Sequence, residues 1–381
     1  MTNSNWKSIL PYSYYISWGG YLNGSTANLN AFADLGYNIV HPIPGSSQTE
    51  PFDEPEFDQF LDALDEVGLY LMYDMRWTYK NLTALSAQVK RLRSRNSLLL
   101  WYTADEPDGW GDPLNATTLA YDAIKELDPY HPVSLVLNCY NFYFKEYTSG
   151  TDIVLTDPYP VATNVTWSVQ WNTPCNTTYG DCGCDNCIDL FHDIPRRLDA
   201  YKDYQEWLGN VEYQGPQPLW GVPQAFGGSE YWSRAPTAAE EVVLDMLFVN
   251  HGAKGLVAWT FPTTMELQEV TSQLAKVLTM DQVTSYLLGA NAVQLDVSGG
   301  NATGLDVAGW NVGGKVLVSV VYMSYDDYDG RVEVKLSGAP RSVEILWPTV
   351  TNGASWQVDG KGIVKRSLVG LEVSLLLVEM Q

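Results

Sequence analysis

The stretch WYTADEPDGW, residues 101–110, places two carboxylates side by side directly after an apolar run. Consecutive residues of a strand point to opposite faces, so we expect one of Asp105 and Glu106 to face a cavity and the other to brace it. The surrounding Trp and Tyr side chains would exclude water and raise a carboxyl pKa, as a general acid needs near neutral pH. Because Asp and Glu also favour helix N-termini, a solvated pair at the start of a helix is the structural alternative.

The segments around this pair predict eight strand–helix units between the N-terminus and about residue 285. Short apolar or aromatic runs alternate there with segments of helical period. This alternation predicts a (β/α)8 barrel, an α/β fold, over residues 1–288. An open doubly wound sheet is the alternative, but SWGGYLNGS after the first strand lacks the GxGxxG spacing of its phosphate turn. The predicted strands are residues 12–18, 38–43, 69–76, 97–106, 133–138, 152–159, 218–226 and 255–261.

From about Ala290 the pattern changes to alternating polar and apolar residues, divided by Gly, Asn and Asp turns. This pattern predicts a C-terminal antiparallel β-sandwich of about eight strands over residues 289–381. We expect this domain to pack against the barrel, with a lid or a carbohydrate-binding surface as the alternatives.

In a (β/α)8 barrel, active-site residues lie at the C-terminal ends of the strands, where all eight strands open into one mouth. Nearly every predicted strand ends in a polar or aromatic residue, which a purely structural rim would not need. This convergence predicts a site at the mouth. The strand ends supply Trp18, His41, Asp74, Arg76, Asp105, Glu106, Asn138, Asp157, Tyr159, Gln224 and Trp259.

Two features together resemble the (β/α)8 glycoside hydrolases: Glu106 at the end of the fourth strand, and the stretch QAFGG…PTAAEE…GAKGLVAWTF. The chain is similar, over roughly residues 10–285, to barrel hydrolases that pair a DEP motif with a QAF seventh strand. The resemblance implies that Glu106 is the catalytic acid and that the substrate is an oligosaccharide or polysaccharide. Trp18 and Trp259 would stack on sugar faces. Hydroxyl groups would be bound by His41, Asp74, Arg76, Asn138, Tyr159 and Gln224.

The sequence departs from that group at two positions. Asp105 stands where Asn is common, and Gln224 stands where retaining members carry a nucleophilic Glu. The second catalytic carboxylate is therefore expected elsewhere, with Asp157 preferred, Glu230 in the loop GGSEYW second and Asp74 third. Carboxyl groups about 5–5.5 Å apart would imply retention of configuration, and about 6.5–9.5 Å inversion.

Three alternatives stay open. The adjacent Asp105 and Glu106 also resemble the Asp-Glu pair of substrate-assisted hexosaminidases, in which the Asp orients the sugar's own 2-acetamido group. A non-catalytic carbohydrate-binding barrel and a non-glycosidic enzyme such as a lyase are the other two. No cofactor or metal is expected, since the four His form no HxH or HExxH motif. The absence of GxSxG disfavours a serine esterase.

The charge of the chain limits its partners. Acidic residues outnumber basic ones 45 to 22, giving a net charge of −23. This excess would repel nucleic acids and anionic membrane surfaces, so neither is an expected partner. No apolar run approaches the roughly 20 residues that span a bilayer. We expect a monomer that binds an uncharged substrate.

Six Asn-X-Ser/Thr sequons together favour passage through a eukaryotic secretory pathway, and with the composition they suggest a fungal source. The first residues, MTNSNWKSIL, contain no apolar signal-peptide core, so we expect a leader to have been removed and a start Met added. The predicted location is therefore extracellular. The sequons are at Asn23, Asn81, Asn115, Asn164, Asn176 and Asn301.

Four of the five cysteines lie in PCNTTYGDCGCDNC, within an insertion at about residues 163–190. In a secreted protein this cluster favours two disulfides that staple a surface loop, with a zinc knot as the alternative. The pairing of these four cysteines is left open. Cys139 lies in an apolar run and is expected to be a buried free thiol.

Overall fold

The computed structural model describes the chain with short gaps. The described residues are 7–45, 52, 55–138, 142–163, 166–169, 172–175, 183–184, 187, 190–209, 215–229, 231–299, 304–347 and 355–381. Within these ranges no helix is long and apolar enough to cross a membrane.

Eight parallel strands form the closed barrel that the sequence predicts, in the order β1-β8-β7-β6-β5-β4-β3-β2. Two strands are shorter than predicted because Pro158 and Pro223 interrupt them, since proline has no N–H to donate to the sheet. The strands are β1 Tyr12–Ser17, β2 Ile39–Ile43, β3 Tyr70–Asp74, β4 Leu98–Asp105, β5 Val133–Leu137, β6 Ile153–Thr156, β7 Leu219–Gly221 and β8 Leu256–Phe261.

Helices cover the outside of the barrel and begin at recognisable caps. The Asn81 side chain accepts a hydrogen bond from the Ala84 N–H, and Thr237 with Glu240 forms a capping box. The helices are α1 Ala27–Asp34, α2 Pro55–Val67, α3 Leu82–Leu92, α4 Pro107–Trp110, α5 Ala116–Leu127, α6 Phe144–Thr148, α7 Asp193–Trp207, α8 Ala238–Asn250, α9 Met265–Leu278 and α10 Asp281–Gly289, with a 3-10 turn at Leu22–Gly24.

Residues of alternating parity along the strands form two separate apolar layers. Tyr15, Leu100 and Tyr102 belong to a buried cluster inside the barrel. Their neighbours Tyr14 and Trp101 belong to the larger cluster between the strands and the helices. Successive side chains of a strand point to opposite faces, and this alternation decides which residues can reach the mouth.

The C-terminal region is the predicted β-sandwich. A five-stranded sheet contains Val293–Gln294, Leu305–Val312, Lys315–Tyr322, Val373–Met380 and Pro340–Trp347, in that order. A four-stranded sheet contains Val297–Ser298, Tyr328–Lys335, Gly362–Leu368 and Gln357–Asp359.

The sandwich and the barrel share polar and apolar contacts. His251, after α8, bonds Asp306 of the sandwich at 2.8 Å. The Tyr325 hydroxyl donates to Glu240 at 2.5 Å, and Glu240 in turn accepts two hydrogen bonds from Arg234. Apolar residues of the five-stranded sheet also belong to the core cluster of the barrel's outer layer. The structure thus supports a packing role for this domain.

The cysteine-rich insertion follows β6 and contains a short hairpin of Trp167–Ser168 with Thr173–Pro174. Cys184 and Cys187 form a disulfide, and Cys175 is also disulfide-bonded. Two cysteines joined as a disulfide cannot serve as zinc thiolates. Among the described residues there is no cluster of His, Cys, Asp and Glu that could hold a metal ion. Cys139 and Cys182 lie outside the described ranges.

Candidate functional site

The backbone turns sharply between the two adjacent carboxylates. Strand β4 ends at Asp105, and Glu106 adopts a left-handed conformation with φ 48° and ψ 52° before Pro107 starts α4. The Glu106 N–H donates to the Val136 carbonyl of β5 at 3.1 Å, which holds the turn against the barrel. Left-handed backbone is costly for a residue with a Cβ and recurs at functional sites. The turn lets the two side chains take different roles.

Asp105 serves as a brace. Its Oδ2 accepts from Arg76 Nη1 at 2.9 Å and its Oδ1 from the Tyr102 hydroxyl at 2.5 Å. Arg76 Nε donates to Asp74 at 2.8 Å, and His41 Nε2 lies 2.8 Å from the same carboxylate oxygen. These groups form a continuous buried network across β2, β3 and β4.

The charges of this network stabilise each other. Burial opposes the charge of Asp74, but Arg76 and His41 outweigh it and hold the Asp74 pKa below its usual value. Burial likewise disfavours the charge of Arg76, yet Asp105 and Asp74 raise its pKa well above the usual value. Burial dominates at His41 and lowers its pKa, so the imidazole is held neutral. The predicted sugar-binding residues His41, Asp74 and Arg76 thus form the floor of the mouth, where they hold each other.

Aromatic rings surround the guanidinium. Arg76 lies 5.6 Å from the Tyr15 ring centroid, 5.7 Å from that of Tyr102 and 5.5 Å from that of Trp259. Trp259 remains partly exposed at the end of β8, so its ring is available at the mouth. Cation–π contact of this kind adds to the ion pairs and fixes the floor.

Asp157 contacts Glu106 directly. It follows β6, is 3% exposed, and its side chain is hydrogen-bonded to that of Glu106. Burial raises the Asp157 pKa well above its usual value, and the adjacent Glu106 charge raises it further. Two carboxyls in contact cannot both ionise, so they hold one proton between them.

This contact fixes how the two acids can act. Hydrogen-bonded carboxyls lie closer together than the ~5–5.5 Å of a nucleophile and its acid partner, and closer than the ~6.5–9.5 Å that admits a water. No sugar fits between Glu106 and Asp157. The arrangement is instead that of a proton-sharing pair in which Glu106 is only partly buried.

Asp108 is an acid that the sequence analysis did not single out. It is 8% exposed, and burial raises its pKa to about 6 although backbone N–H groups, including those of Asn138 and Phe142, lower it. The Asn138 N–H donates to Asp108 Oδ1 at 3.0 Å. A Cβ at Gly109 would lie 2.7 Å from the side-chain amide nitrogen of Asn138, so the Asn138 side chain packs closely against this turn. Asn138 therefore joins the loops after β4 and β5. The sequence signal that could have identified Asp108 is its place as the third acidic residue of DEPD, residues 105–108.

Gln224 does not present a free amide to the mouth, contrary to the sequence prediction. It is completely buried, and its Oε1 accepts from the Val161 N–H at 2.9 Å. Its Nε2 donates to the Val161 carbonyl at 3.0 Å and the Phe226 carbonyl at 3.3 Å. The amide is used to bind backbone groups of neighbouring loops, so Gln224 is a structural residue.

An aromatic wall stands beside Gln224. Tyr159 is 7% exposed and packs edge-on against Phe226 at 5.1 Å and Trp232 at 5.9 Å. The Trp232 indole N–H donates to the Tyr159 carbonyl at 2.8 Å. Tyr159 is thus the inner layer of this wall, while the partly exposed rings of Phe226 and Trp232, which the sequence analysis missed, form its surface.

Trp18 is not a stacking platform, and its prediction was wrong. It is 4% exposed and packs edge-on against Phe52, Phe57 and Phe60, with centroids 5.7, 5.2 and 5.3 Å away. Its parity along β1 matches that of Ile16, which faces the helices. The alternation of strand residues could have excluded Trp18. Trp110, 67% exposed on α4 beside Glu106, is an available ring that the analysis overlooked.

Glu230, the second choice for the partner carboxylate, lies outside the described residues.

Comparison with known proteins gives likeness in fold alone. No family model matches the sequence, and no curated protein matches it. Among solved structures, α-amylase from Geobacillus thermoleovorans matches with a TM-score of 0.60 at 9% identity, over 98% of this chain and 97% of that one. α-Galactosidase I from Mortierella vinacea gives 0.58 at 11% identity, over 98% of both chains. A family 39 glycoside hydrolase from Bacteroides cellulosilyticus gives 0.59 at 12% identity, over 98% and 81%.

Proposed function

We propose that this protein hydrolyses glycosidic bonds of an extracellular oligosaccharide or polysaccharide, with Glu106 as the acid that protonates the leaving oxygen. The observation that carries the proposal is the proton-sharing contact of Glu106 with the buried Asp157 at the barrel mouth. The likeness in fold to glycoside hydrolases supports the same class of chemistry.

The pair would work as a relay. The one proton of the pair moves onto Glu106, and Glu106 gives it to the leaving oxygen as the glycosidic C–O bond breaks. A water oxygen bonds to the anomeric carbon and releases a proton, which returns to the pair by way of a second carboxylate. Because Asp157 touches Glu106, we assign that second role to Glu230, in the sequence segment GGSEYW that follows β7. Asp105, engaged by Arg76 and Tyr102, orients the floor.

Glu106→Gln tests the assignment, because the amide keeps the size of the side chain but cannot deliver a proton. We expect activity on unactivated substrates to fall by about 10² or more, a typical general-acid contribution. Products from a panel of cell-wall glycans would be quantified by mass spectrometry. Glu126→Gln, on the exposed face of α5, is the matched control. Turnover by Glu106→Gln at the control's rate would remove Glu106 from the mechanism.

A substrate-assisted hydrolase is the second candidate. It is favoured by the residue at the described end of β7, which is Gln224 and not a carboxylate. The Gln224 amide is hydrogen-bonded to backbone groups of Val161, so it is not a nucleophile. The 2-acetamido group of an N-acetylhexosaminide would then attack the anomeric carbon, with Glu106 as the acid. This route predicts cleavage of 2-acetamido sugars only and full activity in Glu230→Gln. A large loss in Glu230→Gln, with cleavage of sugars lacking the acetamido group, would favour the two-carboxylate route.

We further propose that the protein is a secreted, N-glycosylated monomer whose residues 289–381 form a separate packing domain. Asn23, Asn81 and Asn115, the sequons within the described ranges, are all exposed, and a disulfide is present. A mass decrease on treatment of the natively secreted protein with an N-glycosidase would be expected, and an unchanged mass would contradict glycosylation.

A further inference from the structure

A second aromatic surface lies outside the barrel mouth, on the flank between α6 and α7. It is a groove of about 480 Å³ whose lining includes Phe142, Tyr143, Tyr204, Trp207 and Leu208. Trp207 is 75% exposed, and Tyr143 is 61% exposed. Rings left in water at this level, side by side along a concave surface, mark a binding site more often than a chance exposure.

The groove has a rigid floor. Phe144 is 7% exposed, and its ring packs 5.0 Å from Tyr201 and 5.2 Å from Tyr204. Tyr204 in turn lies 5.6 Å from Trp207. Rings held in place before a ligand arrives lose little conformational freedom when it binds.

The groove connects to the mouth through Asp108. This acid lies two residues after Glu106 and accepts a hydrogen bond from the Phe142 backbone, which begins the lining of the groove. The exposed ring of Trp110 lies on the same four-residue helix as Asp108. The start of the groove is therefore tied by this hydrogen bond to the loop that carries the proposed acid.

The charges of the groove suit a neutral, hydroxyl-rich ligand. Its rim carries one cation and one anion, Lys145 and Glu146. Among the described residues neither of them forms an ion pair, so both are available to hydroxyl groups. An anionic chain would be opposed by the net charge of −23.

We propose that this groove is a second carbohydrate-binding site that holds a neutral polysaccharide chain through Trp207 and Tyr143. The inference rests on the proposed function for the choice of ligand. The groove binds sugar rings at a distance from the bond that is cleaved, so it favours long substrates over short ones.

Binding is tested in the Glu106→Gln background, where turnover is suppressed. Pull-down isotherms would use insoluble cellulose, chitin, xylan, 1,3-β-glucan and 1,3-α-glucan. We expect binding to at least one of them, weakened about five- to tenfold by Trp207→Ala and by Tyr143→Ala, as the loss of one stacked ring implies. Tyr130→Ala removes a still more exposed ring (89% exposed) from the loop before β5 and is the matched control.

The same variants in the active background separate the two proposals. For Trp207→Ala, we expect KM on the polymer to rise about fivefold relative to KM on a short chromogenic substrate. No binding to any polymer, or equal loss in Tyr130→Ala, would overturn the groove proposal and leave the Glu106 assignment intact. A dimer that dissociates in Trp207→Ala would also overturn it, since the groove would then bind a second copy. Ring-dependent binding without hydrolysis of any glycan would instead sink the proposed function.

Discussion

Two groups of acids that are buried or partly buried differ in whether a cation lies among them. At the mouth, Asp74 and Asp105 both bind Arg76. On the outer side of β1, Glu241 and Asp245 lie one turn apart on α8, 0% and 1% exposed. Within the described part of the chain neither Glu241 oxygen has a hydrogen-bond partner, and Asp245 accepts only from the Tyr12 hydroxyl.

The difference decides the charge of each group. Burial alone disfavours ionisation, and it raises the pKa of Asp245 to about 7. Burial raises the Glu241 pKa well above its usual value, and the neighbouring Asp245 adds to the effect. At the mouth, Arg76 reverses the same penalty for Asp74. The mouth thus keeps fixed charges around a proton-sharing pair. The outer pair is neutral in acid, and its ionisation above neutral pH destabilises the folded state.

The largest expected effect comes from removing the cation. Arg76→Met leaves the buried Asp74 and the partly buried Asp105 without a counter-charge, which costs about 3–5 kcal/mol. Urea unfolding measures the free energy of unfolding of each variant. Arg95→Met breaks an exposed ion pair with Asp62 and should cost under ~1 kcal/mol. Equal small losses in both variants would contradict the role given to Arg76.

The outer pair predicts a stability that falls with pH. A carboxyl whose pKa is raised in the folded state keeps its proton there, so unfolding releases protons and is favoured as pH rises from about 4 to about 7. Glu241→Gln removes one such group. Each proton released on unfolding lowers the free energy of unfolding by about 1.4 kcal/mol per pH unit. We expect the variant to gain stability relative to wild type between pH 5 and pH 7, by up to about 2–3 kcal/mol. A wild-type-to-variant difference that stays constant with pH, as expected for exposed Glu126→Gln, would refute this.

The smallest expected effect tests whether Asp157 and Glu106 share a proton at the mouth. Asp157→Asn keeps a donor to Glu106 but removes the second carboxyl and its repulsion. Glu106 then loses its proton at lower pH, so the basic limb of the kcat/KM profile moves to lower pH by about one unit, and kcat falls about tenfold. The pH–rate profile of the variant against wild type is the measurement. An unshifted basic limb with unchanged kcat would show that the two acids do not share a proton.

Much of the fold follows from local patterns. The alternation of apolar runs with helical segments predicted the closed barrel, and the change of pattern near Ala290 predicted the sandwich. The predicted β6 and β7 were too long because the prediction did not end these strands before Pro158 and Pro223. Trp18 was misplaced because the prediction used its position at the end of the first strand and did not consider which face of that strand its side chain occupies.

By itself, the sequence determined the elements and the presence of Asp105 and Glu106 at the end of β4, because periodicity and turn residues act over a few neighbours. Only the tertiary structure decided that Asp157 touches Glu106, that Arg76 joins Asp74 to Asp105, and that the Gln224 amide is hydrogen-bonded to backbone groups. These contacts join different strands, so they depend on how the closing barrel aligns its strand ends, which no local pattern encodes.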